Sequence, residues 1–284
     1  MPPAVLVLLA AGSVQFGAGL AATLFDDLGP GGTVFLRLLF AAVVLGLVWR
    51  PRVRGLGRRE LWLAVAFGLT LAGMNACFYA SIDRIPLGIA VTIEFVGPLG
   101  VAVAGSRKPL DLLWAGLAAA GIVLLSGLGG DGGGLDGLGV AIALVAGGFW
   151  AAYIVLSERT GEAFPGGSGL ALAMGVAAVA LVPVGVADAG EALLEPELLA
   201  LGAAVAMLSS AIPYSLELEA LRRMPKRVFG VLMSLEPALA AVAGFVVLGQ
   251  GLDARQSVAI GLVVAASIGV SLERSETAIS GTPG

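Results

Sequence analysis

Three carboxylates stand inside apolar stretches of this chain, and each has a proline close by. Glu94 lies in IPLGIAVTIEFVGPLG (85–100), with Pro98 four residues after it. An acid at the centre of a membrane helix costs about 2.5–3.5 kcal/mol even on lenient insertion scales. Pro98 has no N–H, so the carbonyl of Glu94 loses its helical partner. One residue thus offers an ionisable side chain and an unpaired backbone acceptor at a depth where irregular backbone survives only against protein or water. Glu217 shares a helix face with Pro213, Tyr214 and Ser210, and Pro213 frees the carbonyl of Ser209. Glu236 directly precedes Pro237. A buried carboxylate with no fixed cation beside it is a candidate proton carrier. The alternative is a protonated acid hydrogen-bonded to a neighbouring helix.

The cation to set against these acids is Arg37, in GGTVFLRLLFAAVV (31–44). At 1.5 Å per residue it lies about 9 Å from the end of its helix, and Glu94 about 10 Å from the same side. Equal depth and opposite charge suit a pair, or the two halves of a clamp for a zwitterion. A structural ion pair, or an arginine snorkelling to the interface, is the plainer alternative. Neutral candidates are Gln15, then Asn75 and Tyr79 on one helix face, then Trp150 and Tyr153, which lie too deep for interface anchors and so either line a cavity or pack helices. Glu219 is about 200° round from Glu217 and reads as interfacial.

The chain has 284 residues, 58% of them hydrophobic and 13% charged. A soluble domain carries about 45–50% apolar and about 25% charged residues, so this is a polytopic membrane protein. There is no histidine and one cysteine, Cys77, inside an apolar helix. His-based metal sites and an intramolecular disulfide are therefore excluded, and no metal or cofactor is expected. With a net charge of −4 and no basic tract carrying aromatics, nucleic acid is not a partner. No nucleotide-binding loop, channel filter or nucleophile–base pair is present, which argues against an enzyme.

A spanning helix needs about 20 apolar residues. Ten segments qualify: 4–25, 31–49, 61–82, 87–105, 112–128, 139–157, 169–187, 198–220, 228–248 and 256–273. The N-terminal segment lacks the basic flank of a cleaved signal and reads as the first span. The Gly-rich stretch 129–138 separates two halves, 1–128 and 139–273, leaving 274–284 as a flexible cytoplasmic tail. With the N-terminus inside, thirteen of the 16 Lys and Arg fall in inner loops, and only Arg84 and Arg255 in outer ones. That bias puts both termini in the cytoplasm. An offset of 139 residues lays Pro86 on Pro225 and Pro98 on Pro237, with similar helices around them. Five helices per half is odd, so the second copy enters inverted. The expected fold is an all-α membrane protein of ten helices in two inverted five-helix repeats, the architecture of secondary transporters.

The stretches FYASIDRIPLGIAVTIEFVGPL, GGFWAAYIVLSER and LSSAIPYSLELEALRRMPKRVFGVLMSLEPALAAVAGFVVLGQ resemble the EamA-type transporters of the drug/metabolite transporter superfamily. Within that superfamily they are most similar to the bacterial inner-membrane exporters of threonine and homoserine. The resemblance runs from about residue 4 to 273. It implies efflux of small neutral amino acids driven by the proton gradient, with the lipid bilayer, a small amino acid and protons as the partners. It also implies a cavity between the halves lined by Arg37, Asn75, Tyr79, Glu94, Tyr153, Glu217 and Glu236. Arg37 and Glu94 suit the zwitterion, Asn75, Tyr79 or Tyr153 a hydroxyl, and Glu94, Glu217 or Glu236 the coupled proton. Pro98, Pro213 and Pro237 are the expected kinks. A broader effluxer of drugs or other metabolites is the alternative, against which Arg37 counts. Oligomeric state is not set by the sequence, and a monomer would suffice.

Overall fold

The computed structural model describes residues 1–52, 55–104, 109–126, 135–221, 223–224 and 226–280. Among them the chain is all helical: α1 (Pro3–Ala22), α2 (Phe25–Trp49), α3 (Arg58–Ile82), α4 (Leu87–Glu94), α5 (Val96–Ala104), α6 (Pro109–Ser126), α7 (Gly137–Ala163), α8 (Ser168–Ala189), α9 (Pro196–Ala206), α10 (Ile212–Leu221), α11 (Lys226–Met233), α12 (Glu236–Leu248) and α13 (Ala254–Ser280). A 3₁₀ turn at Gly190–Leu194 follows α8, and a π-helical turn at Met207–Ala211 joins α9 to α10.

Among the described residues, six stretches are long and apolar enough to cross a membrane: Pro3–Ala22, Phe25–Trp49, Arg58–Ile82, Gly137–Ala163, Ser168–Leu194 and Val231–Leu248. Shorter apolar helical stretches are Leu87–Val101, Leu113–Leu124, Pro196–Ala211 and Ala254–Gly269. Large apolar side chains face outward, among them Leu47 at 68%, Val179 at 72% and Phe245 at 65% exposure, as a lipid-facing surface requires.

Several expected boundaries are corrected by local chemistry. The first helix ends at Ala22 and not at 25. A new one starts at Phe25 and breaks at Gly29, whose φ of 63° and ψ of 168° suit glycine alone, before Pro30 restarts the helix. Thr33 Oγ1 donates to the Gly29 carbonyl at 2.8 Å, and the Gly31 N–H donates to Asp188 Oδ2 at 2.8 Å, so the break leaves these groups satisfied. The span expected over 87–105 is two helices meeting at Phe95, and that expected over 228–248 is two meeting at Ser234–Leu235. The last helix runs to Ser280, so 274–280 continues it as helix. Glu273, Arg274 and Glu276 are good helix formers with nothing to stop the helix. Most of the connection expected at 129–138 lies outside the described residues, as do Arg54, Arg107, Lys108, Arg222, Pro225 and 281–284.

Small residues set the helix spacing, as expected where lipid supplies little hydrophobic drive between helices. A Cβ at Gly88 in α4 would lie 2.7 Å from the Cα of Ala241 in α12, and one at Gly97 in α5 would strike the Gly147 carbonyl oxygen in α7. The main pairings are α2 with α8, α3 with α7 and α8, α6 with α13, α4 with α12, and α1 with α10 and α12. α12 stops at Gly249 in the left-handed region (φ 65°), with Gly249 N–H bonded to Phe245 O and Gln250 N–H to Gly244 O. The Gln250 side chain then reaches across, its Oε1 accepting from Leu87 N–H at the first turn of α4, at 2.9 Å.

Candidate substrate cavity

The two joints bring acids to one place. At the first, Pro98 denies the Glu94 carbonyl its helical N–H, α4 ends, and the Glu94 side chain turns inward, 7% exposed. The freed carbonyl does not serve the cavity. It rests on α7 at Gly147, where a Cβ would lie only 2.7 Å from that oxygen. At the second joint, Pro237 sits in the first turn of α12, where a missing N–H costs nothing. Glu236 beside it is 6% exposed. Both acids, with Glu217 on α10, line a single cavity of about 260 Å³.

Arg37 and Asn75 line the same cavity, from α2 and α3, and Trp150 and Tyr153 from α7. Arg37 forms no direct ion pair with Glu94. Its Nη1 donates to the Tyr79 hydroxyl at 3.3 Å and its guanidinium carbon lies 5.5 Å from the centre of the Tyr79 ring, within cation–π range. Tyr79 is fully buried behind Arg37 and is absent from the cavity wall, so it holds the arginine instead of meeting a ligand. The Arg37 Nε is buried without a partner. Asn75 gives one amide N–H to the Leu71 carbonyl at 2.9 Å. Trp150 and Tyr153 do both things their sequence positions allowed: they line the cavity and they pack. Trp150 meets Phe95 edge-on at 5.3 Å and Tyr153 meets Phe67 at 5.4 Å.

Pro213 sits just beyond the π-helical turn, whose wider winding closes with the Ile212 N–H on Met207 O. The next carbonyl in that register, Leu208, would look to the nitrogen of Pro213, which carries no hydrogen. Ser13 of α1 supplies the missing donor, its Oγ lying 2.7 Å from Leu208 O. The turn thereby sets Ser209 and Ser210 on the cavity wall. π-Turns have no sequence signature beyond the proline, so nothing in the sequence marks Ser209 as a wall residue, while Ser210 shares the Glu217 face. Glu219 is outside the cavity, paired with Arg223 on the same helix side. The side chain of Tyr214 lies outside the described residues.

Away from the cavity, Asp136 caps α7 by accepting from the N–H groups of Leu138 and Gly139. It also takes a hydrogen bond from Arg84 Nη1 at 3.0 Å. The Arg84 bond, with these caps, holds the carboxyl below the usual aspartate range.

One guanidinium, three carboxylates and several neutral polar groups in one cavity can hold a small molecule of both charges. Apolar helices long enough to cross a membrane, arranged round such a cavity, define a multi-pass membrane protein of the transporter class. Residues 137–272 match the EamA-like transporter family. The chain is 46% identical, over 95% of its length and 91% of theirs, to the threonine/homoserine exporters RhtA of Escherichia coli strain K12 and Salmonella typhimurium strain LT2. A solved crystal structure only 18% identical shares the fold, with a TM-score of 0.61 over 96% of this chain and 98% of that one. The chain belongs to the EamA-like transporter family.

Proposed function

We propose that this protein is a secondary transporter of the bacterial inner membrane that exports small neutral amino acids of the threonine and homoserine kind by proton antiport. The observation that carries the reading is the Arg37–Glu94 arrangement: opposite charges on one small cavity, held apart and not spent on each other. A zwitterion needs a cation for its carboxylate and an acid for its ammonium, and Arg37 and Glu94 supply them. The 46% identity to threonine/homoserine exporters supports the same substrate class. A cavity of about 260 Å³ is smaller than the roughly 300–1,000 Å³ of drug-sized sites. It therefore favours a small solute over bulky drugs.

The architecture we infer is ten spans in two inverted five-helix repeats, 1–128 and 139–273, with both termini cytoplasmic. The pairings support a two-fold relation. Under the offset of 139 residues, α2–α8 and α6–α13 join equivalent elements, while α1–α10 is the counterpart of α7–α3 and α1–α12 that of α7–α5. In the proposed cycle a cavity carboxylate (Glu94, Glu217 or Glu236) takes a proton from outside after substrate leaves. Neutralised, it permits the halves to rock inward, and cytoplasmic substrate then displaces the proton. The test is uptake into proteoliposomes with a panel of amino acids, with and without a pH gradient. Saturable, gradient-driven movement of unmodified threonine or homoserine is expected. Movement of aromatic cations in preference to amino acids would give the broader effluxer its place, and indifference to the gradient would remove antiport.

A further inference from the structure

The neutral groups expected to read a substrate hydroxyl are partly committed elsewhere. Tyr79 is buried behind Arg37, and Asn75 has one N–H tied to its own helix. Two other groups on the cavity wall are not. Gln15 of α1 is 3% exposed and Ser209 of the π-turn 5%, both line the cavity, and Gln15 Oε1 and Ser209 Oγ have no hydrogen-bond partner. A buried polar atom left unpaired costs about 1–3 kcal/mol, so two of them on one cavity call for a ligand that satisfies them.

The local build keeps both in place. Gly17 lets α1 come so close to the π-turn that a Cβ there would strike Ser209 Oγ, with Leu208 Cβ at 3.1 Å. Ser13 fastens the contact through the Leu208 carbonyl. The π-turn gains one residue over an α-turn and rotates the wall beyond it, so that Ser209 and Ser210 line the same cavity as Val14, Gln15 and Ala18 of α1. A carboxamide oxygen only accepts, and a serine hydroxyl both donates and accepts. Each suits one half of an alcohol: Gln15 Oε1 can accept its proton, and the Ser209 hydroxyl can donate to its oxygen.

The geometry points to Gln15 and Ser209 as the subsite that reads the side-chain hydroxyl of the transported amino acid. This rests on the reading of the cavity as an amino-acid site, and adds to it the group that separates threonine from its isostere valine. A site built to bond a hydroxyl rejects the analogue without one, because its own polar atoms then stay unpaired.

The experiment measures binding of threonine and valine to the purified full chain in nanodiscs, for wild type, Gln15→Met and Ser209→Ala, each checked for monodispersity. Wild type should prefer threonine by at least tenfold. In each variant the ratio should fall to within threefold of unity, through weaker threonine binding, tighter valine binding or both. A wild type that binds both equally overturns the subsite without need of any variant, which covers the case of a variant that does not fold. A ratio kept near its wild-type value in either folded variant overturns it too. Should neither amino acid bind wild type, the amino-acid reading itself falls, and that result is distinct from a lost preference.

Discussion

The two broken segments, α4–α5 and α11–α12, share a design and differ in their chemistry. Under the offset of 139 residues Pro98 and Pro237 coincide, and each follows a break. The acids do not coincide. Glu94 falls opposite Met233, and Glu236 opposite Gly97. Glu94 ends α4, where the helix dipole is unfavourable to an anion, and it has Arg37 on the same cavity. Glu236 opens α12, where the dipole favours an anion. Gly97 has no room for an acid, because the backbone of α7 fills the space where its side chain would go. The prolines thus coincide where the chain bends, while the ionisable groups are shifted by a turn. Matching breaks carry unmatched acids, and the two acids need not do the same work.

The largest effect follows from removing the acid that faces Arg37. Glu94→Gln should abolish pH-driven transport in proteoliposomes while amino-acid exchange partly survives. Full gradient-driven activity in that variant would strip Glu94 of the coupling role and move attention to Glu217 or Glu236. Arg37→Gln comes next. Removing one side of a desolvated charge contact costs about 2–5 kcal/mol, so substrate affinity should fall by roughly 30-fold or more, read by calorimetry. An unchanged affinity would make Arg37 a structural residue held by Tyr79.

Packing at the first joint is sharpened by two glycines of α5. Gly97→Leu must displace the Gly147 backbone and should cost about 1–3 kcal/mol, whereas Gly100→Leu meets nothing within 4 Å and should stay within about 0.5 kcal/mol. Thermal unfolding in detergent distinguishes them. The smallest effect belongs to the exposed cap of α7. Asp136 has a lowered carboxyl pKa when folded, so its stabilisation is present above the unfolded aspartate range and is lost as pH falls through the folded value. Asp136→Asn, which keeps the cap but loses the charge on Arg84, should lower the melting temperature slightly at neutral pH and leave it unchanged at strongly acidic pH. Equal shifts at both would mean that the charge contributes nothing.

Composition, hydropathy and the prolines made the all-helical membrane class legible, because lipid tolerates few alternatives. The acids Glu94, Glu217 and Glu236 were conspicuous in sequence for the same reason. What stayed hidden depends on angles. Tyr79 shares a helix face with Asn75, yet only packing shows it behind Arg37. The π-turn brings Ser209 onto the cavity wall beside Ser210, which shares the Glu217 face, and a reading in strict 3.6-residue periods cannot foresee an inserted residue. Gln15 was visible as an oddity in α1, but its unpaired oxygen emerges only when its neighbours are in place.

The carboxamide of Gln250 has a mechanical consequence. It fastens the start of α4 to the end of α12, near the close crossing of Gly88 and Ala241. Because these helices run antiparallel, that clasp lies at the ends of α4 and α12 remote from Glu94 and Glu236, so the fastening and the cavity acids occupy opposite ends of one helix pair.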